Sequence, residues 1–191
     1  MPKRYRALVK WLSETWFRLT GWTFEGRVPD EPRLVIIGYP HTSNWDFFIL
    51  LAILRHFDLK ARFLAHEGLF VGPFRWLLRR LGAIPVQGDA AKVTTMLVET
   101  FEEADSLILI LAPEGTRAGG SAWKSGFWRI ADAADIPVLM GFVDGETKRM
   151  GFGPALKVDG APEAWMEQAR KFYADKHGLK PRNRGPIEFD V

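Results

Sequence analysis

The sequence SLILILA at residues 106–112 decides the fold, and the charged turn PEGTR at residues 113–117 follows it directly. A near-continuous apolar run of this length predicts a strand that is buried on both faces of its sheet. Such strands occur mainly in parallel sheets that helices cover on both sides. The stretch therefore favours an α/β fold, and the turn after it is placed where such sheets bind ligands.

Strands and helices alternate on both sides of this strand. Short apolar segments predict further strands at residues 34–37, 61–65, 83–86, 136–143 and 150–158. Helical spacing predicts helices that end near residues 56, 81, 104, 134 and 176. Ser43 or Asn44 is expected to cap the first of these helices, and Asp89 the third. The alternation predicts a single α/β domain, in which helices flank a mixed, largely parallel sheet.

The N-terminal segment is predicted to be an amphipathic helix within residues 1–24, ahead of a domain of residues 25–191. Its apolar side chains follow helical spacing along one stripe, which contains Leu8, Trp11, Leu12, Trp16 and Leu19. A basic helix with Trp on its apolar face suits a membrane interface. Packing of a terminal helix on the core explains the same pattern, so both interpretations stay open.

Composition narrows the class of protein. Hydrophobic residues make up 47% and charged residues 26% of the 191, which is typical of a folded domain. Basic residues concentrate in residues 1–27 and 170–184, which predicts an anionic surface as partner. The absence of cysteine excludes a thiolate nucleophile and a Cys-ligated metal. No apolar run approaches the roughly 18 residues of a membrane span, and no signal peptide is recognisable, so we expect a cytoplasmic protein.

The motif HTSNWD, residues 41–46, follows the strand at residues 34–37. His41 is expected in the loop and Asp46 in the first turn of the next helix, so their side chains can meet. The carboxylate would then fix one ring nitrogen of His41 and leave the other to accept a proton. The motif supplies no nucleophile of its own, so a substrate hydroxyl would attack in a reaction at this site. A helix-capping Asp beside an unrelated His is the simpler interpretation of this motif alone.

The motif EGTR, residues 114–117, lies in the turn after the central strand. Arg117 offers a planar guanidinium suited to a phosphate group. Glu114 would brace the loop or hold Arg117. A solvated loop is again the simpler interpretation when this motif is considered alone.

Together the motifs resemble the signature blocks of the glycerolipid acyltransferase family, whose best-known members are 1-acylglycerol-3-phosphate acyltransferases. HTSNWD and EGTR stand about seventy residues apart, and RWLLRRLGAIPV at residues 75–86 between them is similar to the family's second block. WKSG at residues 123–126 and ADIPVLMGFVD at residues 134–144 resemble the blocks that follow. The resemblance covers most of the chain, roughly residues 35–143.

The resemblance implies transfer of a fatty acyl group from acyl-CoA or acyl-carrier protein to the hydroxyl of a lysophospholipid-like acceptor. His41 would be the general base and Asp46 would orient it. Arg117 would bind the acceptor's phosphate, within a substrate-binding loop that includes Glu114, Gly115 and Thr116. Backbone N–H groups near Gly115, or at Ser43 and Asn44, are candidates for the oxyanion hole. Neither a cofactor nor a metal is expected.

One departure from the family concerns the acceptor. Gly88 stands where the second block commonly carries an Arg that helps to bind phosphate, and Lys92 would supply the missing charge. The favoured acceptor is 1-acylglycerol-3-phosphate, and one without a phosphate is an alternative. A catalytically silent lipid-binding protein is another alternative. Nucleic acid is not an expected partner, because no base-reading motif accompanies the basic ends. The expected location is peripheral, on the inner face of the membrane.

Overall fold

A computed structural model describes residues 3–117, 122–159 and 162–189, with side chains from Lys10 onwards. The strands are β1 Thr23–Glu25, β2 Arg33–Gly38, β3 Ala61–His66, β4 Ala83–Val86, β5 Leu107–Leu111, β6 Val138–Asp144 and β7 Arg149–Leu156. The α-helices are α1 Lys3–Leu19, α2 Asp46–His56, α3 Gly72–Arg80, α4 Ala90–Glu103, α5 Gly126–Ala133 and α6 Pro162–Tyr173. Short 3-10 helices at Glu67–Leu69 and Pro181–Asn183 complete the described elements.

The strands form one seven-stranded sheet in the order β1-β7-β6-β2-β5-β3-β4. Every neighbouring pair is parallel except β6 and β7. The predicted single α/β domain with a largely parallel mixed sheet is therefore confirmed. The central strand β5 lies between β2 and β3, and Ile37 of β2 pairs with Leu111 of β5. This register brings the two motif-bearing loops to the same edge of the sheet.

Helices cover both faces of the sheet. Side chains of α4, α5 and α6 pack in one core cluster, around buried Leu109, Phe127 and Trp165. Side chains of α1, α2 and α3 pack in the other, around buried Ile36 and Ile53. We call the α1, α2 and α3 side of the sheet the first layer and the opposite side the second layer.

The N-terminal helix contacts the domain through polar side chains and one aromatic. Lys10 Nζ donates to the carbonyl of His56 at 2.7 Å, and Glu14 Oε1 lies 2.8 Å from His56 Nδ1. Phe17 packs at the end of the helix beside Trp22. Leu8 was expected on the apolar stripe, but its side chain lies outside the described part of the chain. The boundary expected after residue 24 falls within β1, whose Phe24 stacks on His56 at 4.0 Å between ring centroids.

Most predicted elements match the structure to within two residues, and three differ from it. The three-residue β1 was missed because so short a strand carries no readable alternation. The helix after the first motif begins at Asp46, so neither Ser43 nor Asn44 is its N-cap residue. The last helix ends at Tyr173 rather than near residue 176. Within the described ranges, no helix combines the length and apolar character needed to cross a bilayer.

Candidate active site

The two motifs meet beyond the carboxyl ends of β2 and β5. His41 stands three residues after the end of β2, and Glu114 three residues after the end of β5. The backbone N–H of His41 donates to Glu114 Oε2 at 2.7 Å, so the loops are in direct contact. This is the edge at which parallel α/β sheets bind their ligands.

His41 and Asp46 form a hydrogen-bonded pair. Nδ1 of His41 lies 3.0 Å from Oδ2 of Asp46, and the His41 side chain is 27% exposed against 8% for Asp46. The ionised carboxylate only accepts hydrogen bonds, so it places the proton of a neutral His41 on Nδ1. The other nitrogen, Nε2, then carries the lone pair that can accept a substrate proton.

Asp46 is itself fixed by the turn that carries His41. Its Oδ2 also accepts hydrogen bonds from the backbone N–H groups of Thr42 at 2.8 Å and Ser43 at 2.9 Å. Asp46 therefore folds back over the preceding turn and fixes the backbone that leads from His41 into the helix. Within the described part of the chain, the buried Oδ1 has no hydrogen-bond partner.

Glu114 is buried beneath the His41 loop and holds that loop through hydrogen bonds. It is 3% exposed, and its second oxygen, Oε1, accepts the N–H of Gly185 at 3.0 Å. Burial raises the pKa of this carboxyl, and the hydrogen bonds from the backbone of His41 and Gly185 partly oppose that rise. Because both oxygens already accept backbone donors, Glu114 is placed to position the His41 loop rather than to contact a substrate.

The C-terminal segment crosses both motif loops, which sequence reasoning missed. Thr42 Oγ1 accepts the N–H of Leu179 at 3.0 Å and that of Lys180 at 3.1 Å. Asn183 Nδ2 donates to the carbonyl of Thr42 at 3.2 Å and to the carbonyl of Arg117 at 3.0 Å. We call residues 178–185 the strap. It ties the loop of His41 to the loop of Arg117.

A second set of contacts anchors the end of the strap. The hydroxyl of Tyr39 donates to the carbonyl of Gly185 at 2.7 Å and accepts from Arg184 Nε at 3.1 Å. Burial raises the pKa of Tyr39, although Arg184 opposes the rise, so the phenol stays protonated as this pattern requires. Tyr39 thus connects the strap to the residues that lead into the loop of His41.

A comparison of the sequence with models of protein families gives a match. The sequence model of the family described as Acyltransferase matches residues 22–140, which is more than half of the chain and contains both motifs. The chain belongs to the Acyltransferase family. The resemblance and the prediction of an acyltransferase are therefore confirmed.

One solved structure shares the family fold over nearly the whole chain. It is the crystal structure of the 1-acyl-sn-glycerophosphate (LPA) acyltransferase, PlsC, from Thermotoga maritima, with a TM-score of 0.58 and 19% sequence identity. The match covers 91% of this chain and 79% of that one. A search of curated protein sequences finds no match.

The other expected site residues of this acyltransferase, Arg117 and Lys92, lie at the same edge of the sheet but farther from His41 than Asp46 does. Arg117 has an exposed side chain and is held through its backbone by the strap. Lys92 is exposed in the first turn of α4, beyond the end of β4. Because β4 is three strands from β2, the spacing between them is roughly 14 Å. Asp89 caps α4 as expected, accepting the N–H of Ala91 at 2.9 Å.

The departure at Gly88 has a conformational cause. Its φ is +84°, in the left-handed region that favours glycine, although a Cβ there would meet no atom within 4 Å. An Arg would fit in space but would strain this backbone by about 1 kcal/mol. The backbone of the turn before α4 therefore favours glycine at this position.

Two expected oxyanion donors are already engaged in this structure. The N–H of Ser43 donates to Asp46, and the N–H of Gly115 donates to the carbonyl of Ala112 at 3.1 Å. Asn44 is exposed beside them, and Thr116 is half-buried. Ser43 itself is buried, and its hydroxyl accepts the N–H of Trp45 at 3.2 Å. Ser43 therefore shapes the turn that presents His41.

Proposed function

We propose that this acyltransferase moves a fatty acyl group from a thioester donor to the hydroxyl of a lysophospholipid, with His41 as general base. The observation that carries the proposal is the contact of His41 Nδ1 with the buried, backbone-anchored carboxylate of Asp46. This contact orients the ring and stabilises the imidazolium that forms during the reaction. Acyl-CoA and acyl-carrier protein are both candidate donors.

The reaction needs no enzyme nucleophile. His41 Nε2 takes the proton of the acceptor hydroxyl as its oxygen attacks the thioester carbonyl carbon. The tetrahedral oxyanion then collapses, the carbon–sulfur bond breaks, and the thiolate leaves. The protonated His41 gives its proton to that thiolate, which returns the ring to its starting state. No cofactor or metal takes part in these steps.

The proposed acceptor is 1-acylglycerol-3-phosphate. PlsC from Thermotoga maritima, which shares the fold, is a 1-acyl-sn-glycerophosphate acyltransferase. The exposed Arg117 offers a fork for the acceptor's phosphate, and Lys92 offers a second positive charge at the N-terminus of α4. Because Gly88 cannot supply the family's Arg, an acceptor without a phosphate is the alternative that the experiment below would detect.

The proposed location is the inner face of the cytoplasmic membrane, where α1 would lie in the interface. Trp16 on this helix is 66% exposed, and Leu19 is 81% exposed. The polar residues Lys10 and Glu14 instead face α2. The apolar stripe therefore points away from the protein, which favours the membrane over the core as its partner.

An acceptor panel tests the proposal. Labelled acyl-CoA and acyl-carrier protein are each offered with 1-acylglycerol-3-phosphate, lysophosphatidylcholine and monoacylglycerol. Arg117→Ala should raise KM for the phosphate acceptor at least about tenfold, the loss expected for one charge-assisted contact, and leave KM for the donor within threefold. Lys157→Ala is the control, since Lys157 is exposed beyond the end of β7 and pairs with Asp135 at 3.5 Å. Preference for monoacylglycerol would overturn the phosphate acceptor.

A further inference from the structure

The exposed apolar side chains are concentrated on one side of the molecule. Among the described residues, twelve large hydrophobic side chains are exposed. Eleven belong to the first layer: four on α1, two at the start of α2 and five between Leu69 and Leu77. The exception is Met96 on α4, in the second layer. Single exposed hydrophobics need no explanation, but a set confined to one layer marks an interaction surface.

Helix α3 is the least buried element of this layer. None of the residues Gly72–Arg80 is buried, and Phe74 and Trp76 are 61% and 65% exposed. The helix is amphipathic, yet only Leu78 among its residues, followed by Leu81 just after it, packs against the core. Its apolar surface is therefore far larger than its attachment to the sheet requires.

The positive charge on α3 favours an anionic partner. The helix carries Arg75, Arg79 and Arg80 and no acidic residue. The guanidinium of Arg80 lies over the ring of Trp76 at 5.4 Å from its centroid. Basic residues beside exposed Trp and Phe on a short helix are typical of segments that enter the interface of an anionic membrane.

The segment also borders the candidate active site. Residues 67–72 follow the end of β3, which is two strands from β2 at the edge where His41 lies. At the same edge, Trp45 and Phe48 are 67% and 58% exposed and their rings lie 5.3 Å apart. The α3 segment and the exposed pair Trp45 and Phe48 thus both lie near the edge of the sheet that carries His41.

We propose that residues 69–80, together with Trp45 and Phe48, form a second membrane-docking surface that inserts into the interface of an anionic bilayer. We call it the α3 patch. It rests on the proposed function, in which α1 alone was assigned to the membrane and the substrates are lipids. With α1 and the α3 patch both docked, the first layer faces the bilayer, and His41 lies close to the lipid from which an acceptor would come.

The absence of cysteine allows a direct test in the full chain. Single substitutions Trp76→Cys, Trp16→Cys and Met96→Cys are each labelled with an environment-sensitive fluorophore. The probe is a vesicle of phosphatidylcholine with or without phosphatidylglycerol. The labels at positions 76 and 16 should move to shorter emission wavelength with anionic vesicles and be quenched by nitroxide-bearing lipid. The label at position 96, in the second layer, should do neither.

The outcomes separate this proposal from the proposed function. A response at position 16 without one at position 76 would overturn the α3 patch and leave α1 docking intact. No response at either position would overturn both membrane assignments, while acyl transfer to a detergent-dispersed acceptor would still be measurable. A response at position 76 on concentrating the protein without vesicles, with dimers in analytical ultracentrifugation, would assign the patch to a second copy and overturn the proposal.

Charge reversal gives an independent readout. Arg79→Glu should weaken binding to anionic vesicles at least about fivefold, because each basic residue near such a surface contributes about a factor of five. Arg129→Glu, an exposed residue on α5 in the second layer, should change binding less than about threefold. Equal losses for the two variants would mean that overall charge, not the α3 patch, determines binding, and would overturn the proposal.

Discussion

Replacing Asp46 by Asn tests how much the carboxylate contributes to the proposed base. The carboxylate and His41 are 3.0 Å apart, and at an effective dielectric constant of about 20 a full charge pair at that distance is worth about 5 kcal/mol. This value bounds the stabilisation of the imidazolium, and it corresponds to a rate factor of about 10⁴. Because the neutral amide still accepts a hydrogen bond, we expect kcat to fall between about 10² and 10⁴-fold.

The same substitution has a predictable cost in stability. Asn must keep its oxygen at the position of Oδ2, which accepts from Thr42 and Ser43, so its NH₂ replaces the buried Oδ1 that has no partner among the described residues. An unsatisfied buried donor costs about 1–3 kcal/mol. In a chain of 191 residues this lowers Tm by roughly 2–12 °C, so the variant should remain folded at assay temperature.

The assay is acyl transfer under saturating donor, with thermal unfolding followed in parallel. Asp89→Asn is the matched control, because Asp89 also lies at the start of a helix and accepts a backbone N–H, but among the described residues it forms no hydrogen bond with a His. The control should leave kcat within about twofold, since a helix cap acts on stability. The reasoning is refuted if Asp46→Asn, folded at the assay temperature, keeps kcat within threefold of the wild type.

Two further predictions concern Asn183 of the strap and the buried Glu114. Asn183→Ala should lower kcat/KM about five- to tenfold and raise KM for the acceptor more than for the donor, because both bridging hydrogen bonds are lost; an unchanged KM would make Asn183 dispensable. Glu114→Gln should lower the free energy of unfolding by about 1–3 kcal/mol, because one of two backbone donors loses its acceptor. The pKa of Glu114 is raised in the folded state, so the folded protein binds this proton more tightly than the unfolded chain does. The advantage of wild type over Glu114→Gln in urea unfolding should therefore grow as pH falls from 7 through that pKa, and a shrinking advantage would contradict the sign.

The sequence predicted the sheet and the contact between His41 and Asp46 because each has a local signature. An apolar strand followed by a charged turn appears in SLILILAPEGTR, residues 106–117, and the spacing of His41 and Asp46 fits one loop and one helical turn. Parallel pairing of β2 with β5 then brings both turns to one edge. Local patterns thus account for the fold class and for the residues proposed to react.

The strap and the docking of α1 left no such signature. Asn183 reaches Thr42 across 141 residues of sequence, and it does so through a backbone carbonyl that any residue could offer. The sequence predicts Glu114 as a loop-bracing or substrate-binding residue, but its two backbone donors, His41 and Gly185, lie 73 and 71 residues away along the chain and only folding brings them together. Whether the stripe of α1 faced inward or outward depended on the contacts of Lys10 and Glu14 with His56, which only the folded chain shows.

The central claim is that His41 is the base of an acyl transfer, and transfer by His41→Ala tests it most directly. Purified wild type, His41→Ala and the control His177→Ala would be given labelled acyl donor and 1-acylglycerol-3-phosphate, with circular dichroism to verify folding. His177 is the control because its side chain pairs with Glu146, at 3.6 Å, and not with Asp46. We predict that His41→Ala loses at least about 10²-fold in kcat while His177→Ala stays near wild type. Transfer by folded His41→Ala within tenfold of the wild-type rate would contradict the account.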